Sequence, residues 1–571
     1  MTTTDRRATA KLLACVALSC HLVGCVPPKS KPRTVSQAPR KQQGAVPAKS
    51  AGKAKKPAAK VRQTAEARGV AIYQQHCAAC HGEKGDGQGL AARFLFPKPR
   101  DFRAGRFRLV STVNGAPTPE DLDGVLVRGM PGSAMLSWAH LKDEDRKLLV
   151  SHVLKLHRDG LRESFVAQAV ADDDEPDAKE IDESIARLTT PGKRVAAPDA
   201  PPPDAESIAR GAKLYLAKGC AACHGATGKG DGQQVMIDAE GLPTRPRDLT
   251  LGIFKGAPDF ASVFRRIRGG MPGSPMPSSQ GLAEQEVIDL VQYVLSLSDA
   301  PARDAAVLKR RQLTARRVDA ATESPDDESW DRIQPVRLAM TPLWWRADHD
   351  AGLEVQSLHD GKTLAVRLSW NDPQDDERAL RSETFKDAAA IEFYRGDAEP
   401  FVGMGAPGVP VDVWMWDADS SAPRADVEQV NPRIVVDVYP LTEGAVDTAE
   451  YDRPTTKTDA QAKLALAARA VGNQIVPPSE GGHGHAIVGG GPGTLTFRLP
   501  ANQRVRAQGI WSDGRWRVVL SRALDSSASE SGIALAPGER VSVAFALWNG
   551  SLRDRDGQKL ITIWQDFALE P

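Results

Sequence analysis

Cys77-Ala78-Ala79-Cys80-His81 recurs as Cys220-Ala221-Ala222-Cys223-His224, and these two short runs carry the plainest chemistry in the chain. Two thiols three positions apart can form thioethers with the two vinyl groups of one haem, and the adjacent imidazole can reach its iron as the proximal ligand. A lone C-x-x-C would equally suit a thiol redox pair or half of a zinc site. Here both copies share a longer context. Arg68-Gly69 and Tyr73 precede the first, and Gly85-Asp86-Gly87, Pro99-Arg100-Asp101 and Gly129-Met130-Pro131-Gly132-Ser133 follow it. Arg210-Gly211, Tyr215, Gly230-Asp231-Gly232, Pro246-Arg247-Asp248 and Gly270-Met271-Pro272-Gly273-Ser274 frame the second. The expectation is two covalent c haems, attached through Cys77, Cys80, Cys220 and Cys223, with His81 and His224 on the irons.

The opposite axial position of each iron also needs a ligand. Each repeat offers two thioethers on one loop, Met130 and Met135 in the first, Met271 and Met276 in the second, and the residue types alone leave either open. A Met/His pair closes the iron to substrates and raises its potential, which suits electron transfer. The Gly-Asp-Gly stretches lack the acidic ligands of an EF-hand loop and the Gly-Lys-Ser/Thr ending of a P-loop, so they read as tight turns. No general base, nucleophile or vacant metal site stands out, and no catalytic residue is assigned.

Small helical domains must position these groups. Leu149, Val153 and Leu156 in one repeat, and Val287, Leu290, Val291, Val294 and Leu295 in the other, recur at helical spacing and predict amphipathic C-terminal helices. His152 occupies the place of Tyr293 and reads as a packing residue. Beyond residue 329, short apolar or alternating runs recur between Gly, Pro and Asp turns. They are Leu353–Leu358, Thr363–Trp370, Ala389–Tyr394, Val411–Trp416, Ile434–Tyr439, Thr494–Leu499, Trp516–Leu520, Val541–Trp548 and Ile561–Phe567. With no βαβ unit among them, they predict a sandwich of two antiparallel sheets. The fold class is therefore multidomain, two all-α domains followed by an all-β sandwich.

The seven cysteines leave none for disulfides, because Cys15, Cys20 and Cys25 lie in an N-terminal export signal. Arg6, Arg7 and Lys11 precede the apolar run from Leu12 to Val23, which ends in Leu22-Val23-Gly24-Cys25. That ending resembles the lipobox of bacterial lipoproteins, which implies cleavage before Cys25, its lipidation, and a periplasmic location with outer-membrane sorting favoured. The expected organisation is a signal peptide (1–24), a basic Pro/Ala/Lys-rich tether (25–66), a haem domain (67–158), an acidic and Pro-rich linker (159–206), a second haem domain (207–298), a linker (299–328) and the sandwich (329–571). The net charge of +1 hides a tether with eleven Lys or Arg and one acid, Glu66. That tether has no stacking aromatics, so a nucleic-acid role is not expected.

Both repeats resemble small class I cytochromes c nearly end to end. In that family an N-terminal helix bearing Gly and an aromatic crosses the C-terminal helix, matching Gly69 with Tyr73 and Gly211 with Tyr215, the second pair one residue farther from its haem motif. The resemblance implies the later Met of each loop, Met135 and Met276, as distal ligand, leaving Met130 and Met271 as wall residues. A second resemblance covers the third domain. Leu358-His359-Asp360-Gly361-Lys362-Thr363-Leu364, Phe385 to Phe393, Phe401-Val402-Gly403-Met404-Gly405 and Val411 to Trp416 resemble the haem-b-binding γ subunit of ethylbenzene dehydrogenase and its dimethylsulfide dehydrogenase relatives. It implies one b haem held between a Met and a Lys, for which Met404 and Lys559 are the candidates. His359, His483 and His485 are rival ligands.

The functional expectation is a lipid-anchored electron-transfer protein with two c haems and one b haem. It would pass electrons between a molybdopterin-type enzyme with an iron-sulfur subunit and other respiratory carriers, with any catalysis in the partner. Two alternatives stand beside it: a dihaem cytochrome with a non-haem ligand-binding sandwich, and a dihaem peroxidase-like enzyme.

Overall fold

A computed structural model describes residues 64–103, 106–346, 352–377, 385–396, 399–418, 484–499, 502–525 and 532–571. Signal, tether and Cys25 lie outside the described residues, as do the expected strand at 434–439 and His483.

Ten helices precede the sheet among the described residues. They are α1 (Ala65–His76), α2 (Ala78–His81), α3 (Pro119–Arg128), α4 (Asp143–Ala171), α5 (Ala178–Thr189), α6 (Ala205–Ala217), α7 (Cys220–His224), α8 (Phe260–Gly269), α9 (Glu284–Ser296) and α10 (Ala300–Ala305). Local chemistry sets their starts. Thr64 caps α1, a Thr118–Asp121 capping box with Pro119 opens α3, and Asp204 and Asp259 accept from the first turns of α6 and α8.

In each repeat the first helix crosses the last at a glycine. A Cβ at Gly69 would meet the Leu148 carbonyl oxygen of α4 at 3.0 Å, and one at Gly211 would meet the Asp289 carbonyl carbon of α9 at 2.6 Å. One turn later, Tyr73 and Tyr215 are buried, and each hydroxyl donates at 2.8 Å to the carbonyl after its haem motif, Gly82 and Gly225. The extra residue in the second repeat is absorbed by Gly219, whose φ of 77° lies in the left-handed region that favours glycine. His152 meets Tyr73 edge-on at 4.9 Å, and Tyr293 meets Tyr215 the same way at 5.2 Å, so the two fill one position.

The segment expected as a linker over 159–206 is largely structured. The C-terminal helix of the first domain runs on to Ala171, and α5, capped by Asp177, buries Ile181 and Ile185 against it. Those isoleucines sit four apart, one stripe of a helix that carries Lys179, Glu180, Asp182, Glu183 and Arg187 at other positions.

The strands are β1 (Gln312–Arg317), β2 (Val336–Ala339), β3 (Thr341–Pro342), β4 (Gly352–His359), β5 (Thr363–Asn371), β6 (Ala388–Tyr394), β7 (Val411–Asp417), β8 (His485–Gly489), β9 (Thr496–Phe497), β10 (Arg506–Ser512), β11 (Arg515–Ala523), β12 (Arg540–Trp548), β13 (Leu560–Ile561) and β14 (Gln565–Leu569). One layer runs β10-β11-β5-β4 and the other β14-β12-β6-β7-β8-β9, with antiparallel neighbours within each. The inner faces meet in a core holding Val355, Leu368 and Val518 from one layer and Phe393, Trp414 and Phe545 from the other. The expected sandwich has one feature beyond two antiparallel sheets. β1 falls in the segment expected as the second linker, pairs parallel with β14 through residues 312–315 and with β4 through 316–317, and so joins the layers.

The first helical domain packs on the sandwich. Ala91, Leu95 and Leu136 share a buried cluster with Phe401, Val402, Trp548 and Trp564, and Cys80 borders it. Phe96 exchanges backbone hydrogen bonds with Leu343 and Trp345 at 3.0 and 2.7 Å. The second domain packs on the first through Arg266, which donates to the carbonyls of Arg108 and Val110 at 3.1 and 2.7 Å.

Candidate haem sites

Cys77, Cys80 and His81, on and just before α2, line a largely apolar cavity that the α3–α4 loop closes with Met130 and Met135. Cys220, Cys223 and His224 of α7 line a second, closed by Met271 and Met276. The loops match: the Met130 N–H donates to the Met135 carbonyl at 2.8 Å, and Met271 to Met276 at 3.1 Å. Both thioethers of each loop therefore reach their cavity. Met271, which is buried, also lines the first cavity, whereas Met276 lines only the second of the two.

These groups fit a covalent haem. His81 stacks on Phe102 with ring centres 4.4 Å apart, and its Nδ1 lies 3.0 Å from the Arg100 carbonyl, which would fix Nδ1–H as donor and free Nε2 for a metal. Burial pulls both His81 and His224 down to about 4, so each imidazole is neutral at neutral pH and keeps its lone pair. Buried His224 Nδ1 has no hydrogen-bond partner among the described residues. The four cysteines are unpaired, and burial pushes the Cys77 and Cys80 thiols up to about 12. A thiol redox pair needs the opposite shift. No group of three or more His, Cys, Asp or Glu that could hold a metal ion exists among the described residues.

In the sandwich, Met404 sits between β6 and β7 with a φ of 95°, strained for a side chain, and Gly491 donates to its carbonyl at 2.7 Å. Its own N–H donates to Glu392 Oε1 of β6 at 3.2 Å. Lys559, just before β13, is buried, with its Nζ 4.7 Å from the centre of the Trp548 ring. Burial pushes the Glu392 carboxyl up to about 7 against the pull of Lys559 and of the N–H groups of Met404, Gly403 and Gly405. Burial likewise pulls Lys559 down to about 8 against Glu392 and Asp556. Glu392 thus accepts from the Met404 N–H and lies within electrostatic reach of Lys559, which is 155 positions from Met404 in sequence. Part of Glu392 is open to solvent-sized space, yet protein surrounds the carboxyl closely enough for burial to dominate. Glu392 is the site residue that sequence reasoning passed over. Its one signal was an acid inside the apolar run Ala388-Ala389-Ala390-Ile391-Glu392-Phe393.

Two of the rival histidines, His359 and His485, hydrogen-bond elsewhere. His359 is fully buried at the end of β4, where its Nδ1 accepts from the Gly361 N–H at 3.3 Å. His485 opens β8 and pairs with Asp417 at 3.2 Å.

Residues 66–157 and 208–298 match the cytochrome c family, and residues 327–560 match the ethylbenzene dehydrogenase family. The chain joins two cytochrome c domains to one ethylbenzene dehydrogenase-family domain. It is 28% identical over 256 residues to a protein of Haloferax mediterranei named for a respiratory nitrate reductase heme subunit, covering 44% of this chain and 69% of that one. It is also 28% identical to the dimethylsulfide dehydrogenase subunit gamma of Rhodovulum sulfidophilum, covering 43% and 74%. The cbb3-type cytochrome c oxidase subunit CcoP of Rubrivivax gelatinosus is 29% identical over 162 residues, 28% of this chain and 47% of that protein. Cytochrome c domains carry haem, and the role of the chain is electron transfer with redox partners.

Proposed function

We propose that this chain is a three-haem wire, with one b haem in the sandwich and a c haem in each helical domain, arranged in the order b, first c, second c. Each bound haem supplies a one-electron couple between ferric and ferrous iron. Cys77 with Cys80, and Cys220 with Cys223, would tether the c haems, and His81 with Met135 and His224 with Met276 would ligate their irons. Met271 lines both c cavities, which favours a wall role for it and the ligand role for Met276. Met404 and Lys559 would hold the b haem, with Glu392 fixing the Met404 backbone and attracting Lys559.

One observation carries the order. Phe401, three residues before Met404, lines the first c cavity, and that cavity shares four lining residues with the second. The first c cavity therefore borders both the second cavity and the segment that leads to Met404, and electron tunnelling weakens steeply with distance. The sandwich site is the end that exchanges electrons with an iron-sulfur subunit of a molybdopterin-type enzyme, and the second c domain faces a further carrier. Lipidated Cys25 anchors the chain to a membrane, the outer one favoured, facing the periplasm. No helix among the described residues is long and apolar enough to cross a membrane.

A pyridine haemochrome spectrum with acid-acetone extraction tests this. Two non-extractable c haems and one extractable b haem are expected. Two c haems alone would reduce the wire to the helical domains and make the sandwich a docking or ligand-binding module.

A further inference from the structure

Leu109, Arg247, Lys255 and Met271 line both c cavities. Two of these are cations, and both come from the second domain. Arg247 is 7% exposed and reaches across the domain boundary, its Nε 3.4 Å from the Pro131 carbonyl on the loop of Met130 and Met135. Its guanidinium also lies 5.7 Å from the centre of the Trp345 ring of the sandwich. Lys255 is half-buried by surface area because it borders both cavities, yet protein crowds its amine.

The nearby carboxylates are already engaged. Asp238 and Glu240 pair with Arg108 at 2.5 and 3.2 Å, and Glu240 also pairs with Arg100. Neither Arg247 nor Lys255 has an ion-pair partner among the described residues, and Arg108 Nε is buried without a hydrogen-bond partner. Two carboxylates thus face four cations. Burial, with Arg108 adding repulsion, pulls Arg247 down to about 10, and burial with Arg247 and Arg108 pulls Lys255 down to about 7. Uncompensated buried cations are expensive, so a wall that keeps them is built for an anion.

We propose that Arg247 and Lys255 form one shared carboxylate-binding site that takes propionates from both c haems. This rests on the presence of a c haem in each cavity. A cation held between two irons favours the ferrous state of each and lessens the penalty of reducing one beside the other. The second domain therefore tunes the haem of the first.

The test is spectroelectrochemical titration of the holoprotein, with each c haem followed by its own electron paramagnetic resonance signal. K255M and R247Q should each shift both haems toward ferric, by at least fivefold in the ferric-to-ferrous ratio at a given potential, which is about 40 mV for a one-electron couple. R247K should restore much of the shift. R245Q should move the second haem alone, since Arg245 lines only that cavity of the two. If R247Q incorporates haem poorly, K255M decides, because its half-buried side chain is replaced by an apolar one of similar length. A shift confined to the second haem, or no shift, overturns the shared site. A haemochrome count below two c haems in the wild type would instead remove the reading beneath it.

Discussion

Gly211→Ala should markedly destabilise the second cytochrome c domain where Gly69→Ala leaves the first nearly intact. An alanine in a helix interior is favoured over glycine by about 1 kcal/mol, and both substitutions gain that much. They differ in what the new methyl group meets. At 69 the nearest atoms are the Leu148 carbonyl oxygen and carbon at 3.0 and 3.4 Å, which a small relaxation of α4 relieves. At 211 they include the Asp289 carbonyl carbon at 2.6 Å and Tyr293 Cβ at 2.8 Å, with the carbonyl oxygen nearer still. The backbone of α9 cannot retreat, because the Asp289 side chain is tied to Ser207 Oγ at 2.5 Å and to Arg210 Nε at 2.9 Å on the opposing helix. Overpacking against so fixed a neighbour costs about 3 kcal/mol or more. The net loss is about 2 kcal/mol, or roughly 8–16 °C for a domain of this size. Thermal unfolding of the full chain, followed through haem absorbance, measures both variants. The damage should extend to the iron, since Tyr215, one turn beyond Gly211, holds the Gly225 carbonyl beside His224. Gly211→Ala should therefore bind carbon monoxide at the second haem before it melts. Equal melting of the two variants, or a larger effect at Gly69, would refute the reasoning.

Met135→Ala and Met276→Ala should each open one c haem to carbon monoxide and lower its potential, because the thioether that favours ferrous iron is lost; the same outcome at Met130 and Met271 would reverse the ligand assignment. Met404→Ala and Lys559→Ala should each loosen an extractable haem without changing the two covalent ones, as measured by haem retention on gel filtration. A fragment starting at residue 306 should fold, whereas one starting at 329 should be markedly less stable by circular dichroism. The shorter fragment loses β1, with buried Leu313 and Ala315, and full burial of a leucine alone contributes about 1.5–3 kcal/mol. Cys25→Ala should abolish acylation and membrane association, and mass spectrometry that finds no acyl chain on wild-type Cys25 would remove the anchor.

Chemistry written within a few consecutive residues was legible before any fold was known. The haem motifs, the paired Met loops, the crossing glycines and most strands depend on spacing along the chain, and spacing survives in a sequence. Even the exchange of His152 for Tyr293 followed from aligning the repeats. What stayed hidden depends on partners far away in the chain. Ile181 and Ile185 look like part of an acidic linker until α4 offers a face to bury them. Gln312 looks like linker until Asp566 of the last strand lies beside it. Glu392 is an unremarked acid until folding sets it against the Met404 N–H and within electrostatic reach of Lys559, and Arg247 becomes a bridge between cavities only when the two domains dock. A side chain's covalent reach is set by its own type, so sequence alone determined which residues can carry haem. Burial and charge compensation are properties of the surroundings, so only the tertiary structure decided which cations lack partners among the described residues, which carboxylate lies buried beside Met404, and which cavities stand next to one another.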